Sequence, residues 1–152
     1  MVVQNTMIAY FCSFFLIYLS WRMHHDIFKV SKVVNIRSFL CNGLWIFFLT
    51  LVPFTTGWVG KAPHSIVPAF VYPLNLLLWN LAFHLLSYRL RKDNPDVESI
   101  PRGFTVNRVI MYIGYAASMA IAFVKPIWSI RIVGLITLLL ILRLIYSKKN
   151  ID

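Results

Sequence analysis

Apolar residues run nearly unbroken through five stretches of this chain, and charges, prolines and asparagines gather in the short segments between them. The stretches cover 7–28, 37–59, 66–90, 105–124 and 127–146. Each holds about 20 residues, the length an α-helix needs to cross roughly 30 Å of hydrocarbon. The pattern predicts an all-α fold, a polytopic transmembrane bundle of about five helices in a single domain over 1–152. Only Lys125 and Pro126 separate the last two stretches. A proline cannot continue the incoming helix and a lysine prefers the interface, so a tight hairpin is expected there.

Composition sharpens this picture. The 152 residues are 59% hydrophobic and 13% charged, with a mean hydropathy of +0.72. That lies outside the range of soluble domains, which could not hide so much apolar surface from water. A net charge of +10 would suit nucleic acid if the cations shared a solvated groove. Here they fall in short runs between apolar stretches, which favours a bilayer surface as partner. Cys12 and Cys41 both sit in apolar stretches and read as small hydrophobes rather than as disulfide or metal ligands.

The cations are unequally divided. One side of the expected bundle receives Arg22, Lys29, Lys32, Arg37, Arg89, Arg91, Lys92, Arg102, Arg108, Arg143, Lys148 and Lys149. The other receives Lys61, Lys125 and Arg131. Twelve against three is a strong positive-inside bias, which places the carboxyl terminus in the cytoplasm and, after five crossings, the amino terminus outside. Residues 1–20 are apolar, but they lack the basic lead and the small-residue cleavage site of a secretory signal. The segment from Arg89 to Arg108 reads as a cytoplasmic loop whose charged residues hydrate it.

Polar side chains inside the helices must find partners without water. In the first helix Ser13, Ser20 and His24 fall near one face, with Trp21 and His25 four apart on another. In the second, Asn42 and Trp45 share a face. Pro53 removes the hydrogen bond owed to the Leu49 carbonyl, and Thr50, Thr55 and Thr56 are placed to compensate. In the third, Asn80, His84 and Ser87 form a narrow stripe. Interhelical hydrogen bonding is the plain reading of these groups, and a permeation path or proton relay is the other. In the fourth helix Gly114, Ser118 and Ala122 recur every four residues, a face on which another backbone can approach closely.

Enzymatic chemistry finds little support. The acids Asp26, Asp93, Asp96, Glu98 and Asp152 all fall in loops or at the terminus, so no carboxylate is expected within the membrane. His24, His25 and Asp26 adjoin, but neighbouring helical residues point about 100° apart, which argues against a metal site. No catalytic residues, cofactor or bound metal are expected.

Taken in order, the residues resemble a known family. AYFCSFFLIYLSWRMHHDIF at 9–28, then NGLWIFFLTLVPFTTGWVG at 42–60, look like the second and third helices of the transmembrane-protein-175 potassium channel family. The matching positions are Trp21 with His24 and His25, then Asn42, then the helix motif containing Pro53, Phe54, Thr55 and Trp58. The likeness is clear over about the first 60 residues; the later helices agree in number and length.

The resemblance implies a six-helix unit whose prokaryotic members, in the cell membrane, form homotetramers around a potassium pore. Trp21, His24 or His25, and Asn42 would be structural hydrogen-bonding positions. Their partner in that family is an Arg-x-x-x-Phe-Ser-Asp signature on the first helix, which this sequence lacks. The five stretches would then match helices two to six, and the chain would be a truncated product, an internal-start product, or a subunit completed by another polypeptide. Two readings follow. One is a potassium-channel-family protein that mediates or supports permeation, selective through hydrophobic constrictions because no Thr-Val-Gly-Tyr-Gly loop occurs. The other is a non-conducting accessory subunit that needs a partner to supply the pore helix.

Overall fold

The structure is a computed structural model and describes residues 2–98 and 106–149. The expected start of the fourth helix at Thr105, and Arg102 and Asp152, lie outside these residues. Of Cys12, Arg143, Lys148 and Lys149 the helical backbone alone is described.

Among the described residues there are five α-helices: α1 (Val2–Val30), α2 (Ile36–Lys61), α3 (Ile66–Asp93), α4 (Val106–Ala122) and α5 (Pro126–Lys149). The first three run beyond the expected bounds. At 1.5 Å per residue α2 is about 39 Å long and α3 about 42 Å, so their ends extend past the hydrocarbon into the headgroup regions. Both are long and apolar enough to cross a bilayer, and α4 and α5 carry the apolar stretches Arg108–Ala122 and Pro126–Leu139. The protein is a membrane helix bundle.

α3 is the central element, packed against α2, α4 and α5, while α1 lies on α2 and α4 pairs with α5. Its centrality follows from spacing. Ala69, Tyr72, Leu76, Trp79, Phe83, Leu86 and Leu90 are all buried, and they recur at alternating steps of three and four, so they form a continuous seam along one side of the helix.

Two prolines enter α3, with different consequences. Pro68 sits in the first turn, where its missing N–H would have had no partner. Pro73 lies well inside and deprives the Ala69 carbonyl of its donor. The buried Ser129 hydroxyl of α5 donates to that carbonyl at 2.8 Å.

The proline of α2 is handled differently from the expectation. Thr50 donates to the Phe47 carbonyl, Thr55 to those of Leu51 and Val52, and Thr56 to that of Val52. None of the three reaches the Leu49 carbonyl that Pro53 frees. The reason is geometric: a helical Ser or Thr hydroxyl bonds back to the carbonyl three or four residues before its own position.

The hairpin between α4 and α5 turns over 123–125, where Lys125 N–H donates to the Ile121 carbonyl at 2.9 Å. Pro126 is the first residue of α5, a position for which its fixed φ is suited. Ser118 and Ala122 are wholly buried on α4. A Cβ added at Gly114 would collide with the tip of the Ile136 side chain of α5, so any larger residue there requires that side chain to move.

Candidate functional site

A polar and aromatic cluster joins four helices toward the end of the bundle where α1 finishes and α2 begins. His24 stands six residues before the end of α1, and its Nε2 lies 2.6 Å from Asn42 Oδ1 on α2. A carbonyl oxygen can only accept, so Nε2 carries the proton and donates. The imidazole also lies flat on the Trp45 ring, with centroids 4.3 Å apart and planes within 11°. The Phe28 ring touches it at 4.5 Å. Asn42 and Trp45 are three residues apart, so they share one face of α2 and hold the ring by edge and by face together.

The aromatic contacts continue into α3. Trp45 meets Trp79 at 6.3 Å and Phe83 at 6.1 Å. The Arg108 guanidinium of α4 lies over the Phe83 ring at 5.6 Å, and one of its nitrogens donates to His84 Nδ1 at 2.9 Å. Arg108 was expected among the loop cations. Instead it is buried, because the Phe83 face and the His84 lone pair together offer a cation a seat in a medium without water. Of the expected stripe on α3, His84 is the member that reaches another helix by a described bond. Asn80 and Ser87 bond back to the Leu76 and Phe83 carbonyls of their own helix.

The structure distinguishes the two adjacent histidines. His25 turns outward and stacks on Trp21 at 5.4 Å, and Trp21 is 56% exposed. Trp21 and His25 therefore stand apart from the pair His24 and Asn42. Asp26 lies 3.7 Å from Arg22 on the exposed face. His24, His25 and Asp26 point three ways.

Further along α2, Pro53, Phe54 and Trp58 face outward and, with Gly57 and Lys61, line an open groove of about 490 Å³. Thr55 faces inward and is buried. Ser13 of α1 donates to Thr56 at 2.8 Å, a second polar tie between α1 and α2.

A third tie was not legible beforehand. The turn between α1 and α2 is clamped by the end of α3. Asn94 Oδ1 accepts from the backbone N–H groups of Lys32 and Val33, each at 2.8 Å. Its amide donates to the Val33 and Leu90 carbonyls, also at 2.8 Å. Beside it, the Asp93 carboxylate accepts from the Asn35 backbone and side chain and, at 2.6 Å, from Ser38. α2 has no acidic residue in its first turn, and Asp93 supplies one from α3, where the helix dipole favours it. Asp93 and Asn94 are thus structural, where hydration had been the expectation for the charges of this segment. The signal for this was an Asn-Pro pair directly after a helix, combined with Asn35 and Ser38 opening another.

Comparison with known proteins bears on this cluster. Residues 2–53 match the family described as endosomal/lysosomal potassium channel TMEM175, a span that contains His24, Asn42 and Trp45. The chain is 28% identical over 136 residues to a potassium channel of Chryseobacterium sp., covering 87% of this chain and 70% of that protein. It is 27% identical over 141 residues to a potassium channel of Streptomyces collinus, covering 86% and 68%. The chain is similar to the TMEM175 potassium channel family over 2–53 and to two bacterial potassium channels over most of its length. No solved structure matches it. The part that fits the TMEM175 family is thus α1 with the first two-thirds of α2. That is the hairpin that His24, Asn42, Trp45 and the clamp from α3 hold in shape.

Proposed function

We propose that the chain mediates or supports potassium permeation through a pore formed between copies of itself, a tetramer on the family pattern. Its carboxyl terminus would lie in the cytoplasm and the amino terminus of this chain outside. The observation that carries the reading is the division of α1 into two faces. Ser13, Leu16, His24 and Ile27 face inward, and two of them bond directly to α2. Phe14, Tyr18, Trp21 and His25 face outward in two stacked pairs, Phe14 on Tyr18 and Trp21 on His25.

The inward side is filled by side chains, several of them wholly buried, and Ser13 and His24 on it are tied to α2 in short bonds. This supports conduction between subunits rather than through one bundle. An outward face of aromatic and apolar residues suits a constriction that selects by narrow apolar walls rather than by a ring of backbone carbonyls. By the sequence count, twelve of the fifteen Lys and Arg belong to one side of the expected topology, and this supports the proposed orientation.

The purified chain in liposomes loaded with potassium tests the reading. Flux above that of empty vesicles is the expected result. A folded, inserted chain that passes no potassium would instead favour the accessory reading, and co-reconstitution with a chain carrying the signature helix should then restore flux.

A further inference from the structure

We infer that the turn between α1 and α2 is a binding site for the headgroup of an anionic phospholipid, recognised by Lys29, Lys32 and Arg37. The first observation is the company these cations keep. Val33, Val34 and Ile36 alternate with them along the turn and are 48%, 45% and 68% exposed, followed by Phe39 and Leu40 at 62% and 63%. An apolar run of this kind at a solvated loop would be an aggregation hazard. At the end of a helix about 39 Å long it lies at headgroup depth, where apolar side chains enter the acyl boundary and cations remain among the phosphates.

The second observation is the state of the turn's backbone. In water a loop can leave its N–H groups to solvent. Here Ser31 N–H donates to the Phe28 carbonyl, those of Lys32 and Val33 donate to Asn94, and that of Asn35 donates to Asp93. Four N–H groups of the turn are thus satisfied within the protein, which suits a headgroup position with less water than a solvated loop.

The same bonds decide how an anion is held. The N-terminus of α2 would ordinarily attract a phosphate, but the Asp93 carboxylate already occupies it. Binding is therefore left to the exposed side chains of Lys29, Lys32 and Arg37. With Asp93 counted, the turn retains a net positive charge. Because Asn94 fixes the turn from α3, a lipid bound there contacts a rigid surface, and its occupancy is coupled to how α1 and α2 sit on the bundle.

The test uses the full chain in nanodiscs of phosphatidylcholine with a minor fraction of phosphatidylglycerol, counting lipids retained on release into the gas phase. The wild-type chain should keep phosphatidylglycerol preferentially. The triple variant K29Q/K32Q/R37Q should lose that preference, by roughly fivefold for each cation removed. The double variant K61Q/K125Q, altered at the opposite end, should keep it. Equal retention of the two lipids by the wild type, or an unchanged preference in the triple variant, overturns the proposal. Millimolar inorganic phosphate should not displace the retained lipid; displacement would assign the site to free phosphate instead. The measurement reads lipid, not ion flux, so its outcome is independent of whether the chain conducts.

Discussion

Ser129 of α5 donates its hydroxyl to the carbonyl of Ala69 on α3, the carbonyl that Pro73 leaves without a backbone partner. The proline and the serine are 56 positions apart in the chain, yet they form one device. Pro73 opens a polar gap in the central helix and Ser129 closes it from a neighbour.

S129A should therefore destabilise the bundle by about 1–2 kcal/mol, the cost of a buried carbonyl left unpaired. The informative experiment is the cycle with P73A. Alanine at 73 restores the N–H, so in that background S129A should cost markedly less. Thermal unfolding of the four proteins in one detergent measures this. Equal costs in both backgrounds would mean that the bond to Ala69 is not what Ser129 contributes.

The two adjacent histidines should behave unlike each other. H24A removes the hydrogen bond to Asn42 and the ring stacked on Trp45, and a loss of about 1–3 kcal/mol is expected. H25A removes a contact on an exposed face and should change the stability of the isolated subunit by less than about 0.5 kcal/mol. A cycle of H24A with N42A should show coupling of about 0.5–1.5 kcal/mol. Additive effects would indicate that the bond is energetically idle.

How much of this was legible in the sequence depends on the range of the interaction. Five apolar runs interrupted by charge report helices in lipid directly, because a span must be long and apolar along its own length. The face shared by Asn42 and Trp45 was also local, since both lie on one helix at a spacing of three. Which histidine would meet that face depended on the rotation of α1 against α2, and sequence spacing does not carry it. Arg108 was misplaced for a related reason. Counted by composition it is one more cation near a loop, and the Phe83 ring and His84 nitrogen that seat it belong to another helix. The gap opened by Pro73 is closed by a hydroxyl from α5, a partner 56 positions away that no local pattern in α3 announces.

At the α4 and α5 contact, G114L should prevent close approach, since even a Cβ there meets the Ile136 side chain. Overpacking of this kind costs about 1–3 kcal/mol. I136A opens space at the same point and should recover part of the loss in the double variant. Thermal unfolding of the single and double variants reads it, and absence of any rescue would place the strain elsewhere.

The clamp from α3 gives the largest expected effect. N94A removes two acceptor and two donor interactions at once, and the N–H groups of Lys32 and Val33 lose their described side-chain partner. A loss of about 2–4 kcal/mol follows if roughly half of these groups recover partners from water or headgroups. N94D separates the two halves of the clamp. A carboxylate still accepts from Lys32 and Val33 but cannot donate to Val33 and Leu90, so it should fall between wild type and N94A. Limited proteolysis at Lys29 and Lys32 reports the turn directly. Cleavage should accelerate in the order wild type, N94D, N94A, while cleavage at Lys61, at the other end of α2, stays constant. If Lys61 were exposed in parallel, Asn94 would be supporting the bundle as a whole and not the turn.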